Sequence, residues 1–423
     1  MHDLNRRRFL QLSASAAAAE LLTAGSSQSE LRCEEPPQRR TIAKESAVKA
    51  KIAAVETFTV SYPITGYFKF FKSRSGKPVG RQCVVVKITD EAGNVGWGQS
   101  VPSHTWSYET LESVKTTIDG YLGPALVGQD AFDGKAIQAI LDRNIAPLFS
   151  TGQPICKAGI DLALFDLTGK ILNQSAAERW SRESRKSITI SWTINPQTLD
   201  DLPGLVKQAR ERGFRNFNLK VGSDADFDVK MCREIRKLAP DAFVWVDANG
   251  GYDLETALAV APKFADLDVK AFEQPLPANR LSWFARLKKQ AALPILMDEP
   301  IVTAVDLEEF HRLGLLDGVA MKVARCGGLA EARKVVQYIE NNGLLFFASG
   351  LTDPDLSLAA SLLLFGAYNL QRPAALNAPQ FLTHTLLKEP IKVEADKATI
   401  PTGPGLGVEV DETKLRNLQI VNE

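Results

Sequence analysis

Five charged residues carry the chemistry this chain is equipped to do, and their spacing indicates where they meet. Lys220, Asp247, Glu273, Asp298 and Lys322 close five apolar runs: 216–222, 243–249, 271–275, 294–300 and 318–323. They recur at intervals of 27, 26, 25 and 24 residues. Any one such acid, taken alone, is a solvent-facing strand end. Three brought together would repel one another strongly unless a cation joined them. No His or Cys accompanies the trio, so its all-oxygen donor set predicts Mg²⁺, with Mn²⁺ as the substitute, over zinc. Lys220 and Lys322 lie on the runs flanking the acids. They are placed to move protons on opposite faces of a small-molecule carboxylate substrate. One lysine would remove the proton on the carbon next to the carboxylate, and the metal would stabilise the enolate.

A period near 25 residues is one strand plus one helix, so the runs read as βα units. In a closed (β/α)₈ barrel the C-terminal strand ends share one face, which brings the five residues together. Further strands are predicted at Ile188–Thr193, Leu344–Ser349 and, shorter, at Ala374–Asn377, which completes eight. Upstream, Val55–Ser61, Gln82–Thr89 and Val95–Gly98 read as a meander turned at Asp90–Asn94. Ile160, Ala163, Leu164, Leu167 and Ile171 then trace one apolar helix face. The fold class expected is α/β: a modified (β/α)₈ TIM barrel with an N-terminal α+β capping domain. Its parts are an export signal and linker over 1–50, the cap over 51–180, the barrel over 181–390, and a segment over 391–423 that returns to the cap.

Lys plus Arg and Asp plus Glu are equal at 50 each. That balance offers no electrostatic case for a nucleic-acid partner or an anionic membrane surface. The five cysteines, Cys33, Cys83, Cys156, Cys232 and Cys326, are scattered and odd in number. They read as unpaired thiols. Asn5-Arg6-Arg7-Arg8-Phe9-Leu10 and the alanine-rich stretch after it resemble a bacterial twin-arginine signal, so a periplasmic location is expected with no membrane span in the mature protein.

Asn218-Leu-Lys220, Asp247-Ala-Asn249, Glu273-Gln-Pro275, Asp298-Glu299 and Lys322-Val-Ala-Arg-Cys-Gly-Gly328 together resemble the enolase superfamily, in its muconate lactonizing enzyme (muconate cycloisomerase) subgroup. The likeness runs from about Ile52 to Val410. It implies metal ligands at Asp247, Glu273 and Asp298, acid/base lysines at Lys220 and Lys322, and Asn218, Asn249 and Glu299 in support around them. It further implies substrate contacts from cap loops, for which Tyr67, Phe68, Phe70, His104 and Trp106 are the candidates, and from the barrel at Ser349 and Asn377. A homo-oligomer is expected. Two positions depart from the family pattern. Asn218 stands where a lysine is usual, which removes an ammonium that would depress the pKa of Lys220. Ala375-Leu-Asn377 stands where dipeptide epimerases carry two aspartates for a free amine.

The function expected is a Mg²⁺-dependent isomerase, a racemase, epimerase or cycloisomerase, acting by α-proton abstraction. The alternatives are a dehydratase or lyase on a hydroxy acid or hydroxylated imino acid, a non-catalytic exported binding protein, and a Schiff-base aldolase. The export expectation has a direct test. In fractionated cells, wild-type protein should be periplasmic and an Arg6→Lys/Arg7→Lys variant should stay in the cytoplasm; identical distributions would remove the expectation.

Overall fold

The computed structural model describes residues 48–71, 80–148 and 151–420. The expected export signal, most of its linker and Cys33 lie outside the described residues.

The cap begins with an antiparallel meander of β1 (Ile52–Tyr62), β2 (Arg81–Asp90) and β3 (Val95–Ser100). At the β2–β3 turn, Asp90 Oδ1 accepts the amides of Ala92 and Asn94, and Gly93 takes φ +85°. The helices α1 (Leu111–Thr117), α2 (Gly123–Leu126), α3 (Gly134–Asn144), α4 (Pro154–Leu172) and α5 (Ala176–Trp180) follow. Thr110 and Ser113 close a capping box at the start of α1, satisfying amides that the first turn leaves open.

The long helix α4 is buried on both sides. Cys156, Ile160, Ala163, Leu164 and Leu167 fill the cap core, whereas Ile155 and Leu162 join the barrel core. The predicted apolar face is therefore the one turned to the cap. Glycines in β3 let α4 come close. A Cβ on Gly96 would lie 2.2 Å from Ala163 O, and one on Gly98 would lie 2.0 Å from Gly159 O.

In the barrel, β4 (Ser187–Thr189) precedes the parallel strands β5 (Trp192–Ile194), β6 (Phe217–Lys220), β7 (Val244–Asp247), β8 (Phe272–Glu273), β9 (Ile295–Met297), β10 (Gly318–Met321) and β11 (Leu345–Ala348), ordered consecutively in one sheet. The run predicted as a single first strand is split. Ser187–Thr189 pairs antiparallel with a C-terminal strand at Lys397–Thr399, and only Trp192–Ile194 lies beside β6. The eighth strand is reduced to two parallel bridges, Ile190 to Ala374 and Ser349 to Ala375. Ser191 N donates to Ala374 O at 2.8 Å and Ala375 N to Ala348 O at 2.8 Å, which joins the two edges of the sheet.

The intervening helices are α6 (Leu202–Glu211), α7 (Ala225–Leu238), α8 (Leu254–Asp266), α9 (Leu281–Gln290), α10 (Ala304–Arg312), α11 (Leu329–Asn341), α12 (Asp355–Ala367) and α13 (Ala378–Phe381). The chain ends with β12 (Val393–Glu394), β13 (Lys397–Thr399) and α14 (Glu412–Leu418). Here Leu406 N donates to Asp166 of α4, and Ile420 N to Thr59 O of β1. Among the described residues, no helix is long and apolar enough to cross a membrane, and Cys83, Cys156, Cys232 and Cys326 are buried free thiols.

The helix contact at β3 predicts a specific sensitivity. Gly98→Ala should lower stability by about 1–3 kcal/mol through overpacking against α4. Gly134→Ala, where an added Cβ meets nothing within 4 Å, should leave it nearly unchanged. Thermal unfolding of both variants checks this; an unaltered transition for Gly98→Ala would refute the packing argument.

Candidate active site

Strand register aligns the acids. Lys220 pairs with Asp247 and Asp247 with Glu273, while Asp298 follows the end of β9 directly. Residues two apart on a strand share a face, so Asn218 and Trp245 lie one layer below Lys220 and Asp247 inside the barrel. Asp247, Glu273 and Asp298 are completely buried, and one oxygen from each lies within 4.8 Å of the others.

Each acid is fixed by named donors. Asp247 Oδ1 accepts Asn249 N at 2.9 Å, and its Oδ2 accepts Lys220 Nζ at 2.5 Å and Asn249 Nδ2 at 3.2 Å. Glu273 Oε2 accepts Trp245 Nε1 at 2.9 Å, whereas its Oε1 has no hydrogen-bond partner. Asp298 takes Lys322 Nζ on one oxygen and Arg325 Nη1 on the other. Lys322 Nζ is also 3.8 Å from Glu273 Oε1. A buried acceptor left unpaired among three clustered carboxylates, with no nitrogen or sulfur donor in the group, fits a hard divalent cation.

Burial, followed by the charge of Asp247, pushes Glu273 up to about 8. Glu299 is pushed to about 8 by burial and then by Asp298 and Asp247. For Lys220, burial works downward, but Asp247, Glu273 and Asp298 outweigh it and hold the ammonium above the usual lysine value.

The supporting residues divide in two. Asn249, held at φ +46°, joins Asp247 to Glu299: its Nδ2 also reaches Glu299 Oε1 at 3.4 Å. Asn218 is buried with neither amide atom partnered, and it touches none of the acids by hydrogen bond.

Above the acids lies a cavity walled from the cap by Phe68, Phe70, Phe71, His104 and Trp106, and from the barrel by Lys220, Lys322, Asn249, Ser349 and Asn377. Asn377 Nδ2 donates to Thr193 Oγ1 at 3.3 Å. Phe68 stacks on Phe381 at 5.0 Å, which docks the loop on α13. Tyr67 is the exception among the expected substrate contacts. It is 36 % exposed and forms no part of this wall, because Phe68 and Phe71 take the inward positions of the turn.

Three residues were not anticipated. Arg325 is three places after Lys322, in a motif read for its lysine and glycines. Buried Arg81 lines the cavity and spends its guanidinium on the carbonyls of Gln82, Val101, Pro102 and Thr352. Lys69 sits 5.1 Å from the Phe70 ring centroid, close enough to Lys220, Asp247 and Glu299 to feel their charge. A lysine between aromatic residues was the available signal for it.

Comparison with known proteins agrees with this geometry. A family model described as enolase C-terminal domain-like matches residues 202–414, and one for the mandelate racemase/muconate lactonizing enzyme N-terminal domain matches residues 73–178. A chloromuconate cycloisomerase of Cupriavidus necator is 31% identical over 87% of this chain and 98% of its own length. The chain belongs to the mandelate racemase/muconate lactonizing enzyme family. It is an isomerase of the enolase superfamily, built as a capped, modified TIM barrel. The crystal structure of the muconate lactonizing enzyme from Pseudomonas fluorescens complexed with muconolactone superposes with a TM-score of 0.80 at 26% identity, covering 88% of this chain and all of that one. An N-succinyl-L-Arg/Lys racemase of Bacillus cereus is 24% identical over 88% of this chain and 99% of its own.

The donor set sets a test of cation binding. Glu273→Gln should lower Mn²⁺ affinity by about 10- to 100-fold or more, because an amide cannot supply the ligand charge. Asp247→Asn and Asp298→Asn should behave alike. Calorimetric titration with Mn²⁺ measures this, and wild-type affinity in Glu273→Gln would overturn the assignment.

Proposed function

We propose that the protein is a Mg²⁺-dependent cycloisomerase that interconverts an unsaturated carboxylate and its lactone by proton transfer at the carbon next to a carboxylate. One observation carries this reading: among the described residues the cavity wall contains Lys220, Lys322 and Arg81 but no Asp or Glu. An anionic substrate is attracted there, and a substrate ammonium finds no counter-charge. The carboxylates stay behind the lysines, out of the wall.

A divalent cation held by Asp247, Glu273 and Asp298, for which Mg²⁺ is the suited hard ion, supplies positive charge beside the substrate carboxylate. The remaining work falls to side chains. In ring opening, Lys220 as amine takes the α-proton, the electron pair moves toward the substrate carboxylate, and the bond from the β-carbon to the ring oxygen breaks. In ring closure, a carboxylate oxygen adds to the β-carbon and the Lys220 ammonium returns the proton to the α-carbon. Lys322 is pinned against Asp298 with its Nζ 5.2 Å from the Trp106 ring centroid. From there it stabilises negative charge on the face opposite Lys220. The aromatic side chains of the cap exclude water from the reacting carbon.

A second reading has its own support. Two lysines on opposite flanks suit racemisation of an N-acylated amino acid, which likewise lacks a free ammonium, and one relative is named as such a racemase.

Incubation in D₂O with muconolactone or N-succinyl-arginine separates the two. Cycloisomerisation predicts deuterium at the lactone α-carbon. Lys220→Ala should lose about 10²–10⁴ in rate, while Lys322→Ala slows turnover yet keeps incorporation on the same face. Near wild-type turnover by Lys220→Ala would refute the mechanism. Deuterium exchange in N-succinyl-arginine, with each alanine variant defective toward the opposite enantiomer, would replace it with racemisation.

A further inference from the structure

The loop joining β3 to α1 sends one side chain into the acid cluster. Trp106 N donates to Ser103 O at 2.9 Å and Ser107 N to the same carbonyl at 2.7 Å, a tight turn that aims the indole toward the barrel. There Trp106 Nε1 donates to Glu299 Oε1 at 2.9 Å. Asn249 Nδ2 donates to that same oxygen and to Asp247 Oδ2, and Asn249 N holds Asp247 Oδ1. An unbroken path of hydrogen bonds thus runs from the cap loop to a carboxylate of the cation group. The other edge of the path is Lys322, placed against both the Trp106 ring and Asp298.

We propose that Trp106 is a positioning residue that couples closure of the cap loop to divalent-cation binding. The inference rests on the reading of Asp247, Glu273 and Asp298 as a cation site. The physical basis is orientation. Glu299 has two oxygens, and Trp106 and Asn249 share Oε1 while Oε2 is unpartnered. Without the indole N–H, Glu299 loses one of its two anchors and Asn249 loses a fixed acceptor. Asn249 is held in the left-handed region, which asparagine tolerates but does not prefer. Its orientation depends on these contacts, and the presentation of Asp247 depends on Asn249. Outer donors that orient ligands act on metal affinity in this way. Linkage is reciprocal, so a bound cation must in turn hold the loop.

The test compares wild type with Trp106→Phe, which keeps a ring beside Lys322 and removes only the donor, and with Tyr108→Phe, which removes a hydroxyl of the same loop that bonds Thr151 and Gln153 N and touches none of the acids. Mn²⁺ binding is read by electron paramagnetic resonance. Affinity should fall about five- to tenfold in Trp106→Phe and stay at the wild-type value in Tyr108→Phe. Hydrogen exchange of residues 103–108 should slow in wild type on adding Mn²⁺, and this protection should vanish in Trp106→Phe. The wild-type exchange measurement stands even if the variant misfolds. Equal Mn²⁺ affinity and equal protection in wild type and Trp106→Phe, or no protection in wild type, would overturn the coupling. Absence of Mn²⁺ binding to wild type would instead overturn the cation site beneath it.

Discussion

Asp247, Glu273 and Asp298 are brought together out of contact with water, with half-buried Glu299 beside them, and most of the architecture around them answers that one constraint. Two carboxylates about 5 Å apart repel by about 3–4 kcal/mol at an effective dielectric near 20. Four such groups therefore need compensation. Lys220, Lys322 and Arg325 supply three positive charges, and Glu273 and Glu299 are both driven up to about 8. The strands holding the acids are only two to four residues long. Their in-register pairing still gives each carboxylate a fixed height. The neutral donors Trp245 Nε1 and Asn249 fix rotation about the remaining bonds. A hard divalent cation answers the same constraint, with two charges delivered to the carboxylates themselves, and that would release the lysines for proton transfer.

The cap is tied to this arrangement through the barrel helix that follows Lys322. Asp161, on α4, accepts Leu329 N at 2.5 Å and lies within 3.4 Å of Ala330 N, so a cap residue closes the N-terminus of α11. Burial raises Asp161 to about 6 against the opposing effect of those amides. A carboxylate favours that end of a helix. The approach is possible only because position 328 is glycine: φ is +111°, and a Cβ there would lie 2.2 Å from Asp161 Oδ1. Gly328 thus serves docking of the cap. It holds the cap's aromatic wall over the lysines at the other end of the same segment.

The parts of the site legible in the sequence were those set by strand periodicity. Lys220, Asp247, Glu273, Asp298 and Lys322 each end an apolar run, and parallel strands bring such ends to one face. The first strand was misread as continuous because Ile188-Thr-Ile-Ser-Trp-Thr193 is uniformly β-prone. Its division depends on a partner strand, Lys397–Thr399, some two hundred residues away. The eighth strand amounts to Ala374 and Ala375, a segment with almost no pattern of its own. Tyr67, Phe68, Phe70 and Phe71 were equivalent by composition. Which of them face inward is decided by Phe381, whose ring Phe68 and Phe71 both meet. Arg325 escaped notice because its charge is read from a partner, Asp298, that only the folded barrel places beside it.

Asn218 shows how a departure in one element is answered from another. A lysine there would place a second ammonium beside Lys220 and depress its proton affinity; the buried, neutral asparagine cannot. The fold nevertheless brings Lys69 from the cap into the field of Lys220. Burial, and after it the charge of Lys220, lowers Lys69 to about 8. That repulsion does not govern Lys220 itself, whose ammonium Asp247, Glu273 and Asp298 hold above the usual lysine value. The like charge that the strand lacks comes from the loop docked by Phe68 and Phe71 on Phe381. The segment that walls the cavity thus also carries an ammonium into the field of the acid cluster, so docking of Phe68 and Phe71 on Phe381 sets the wall and that charge together.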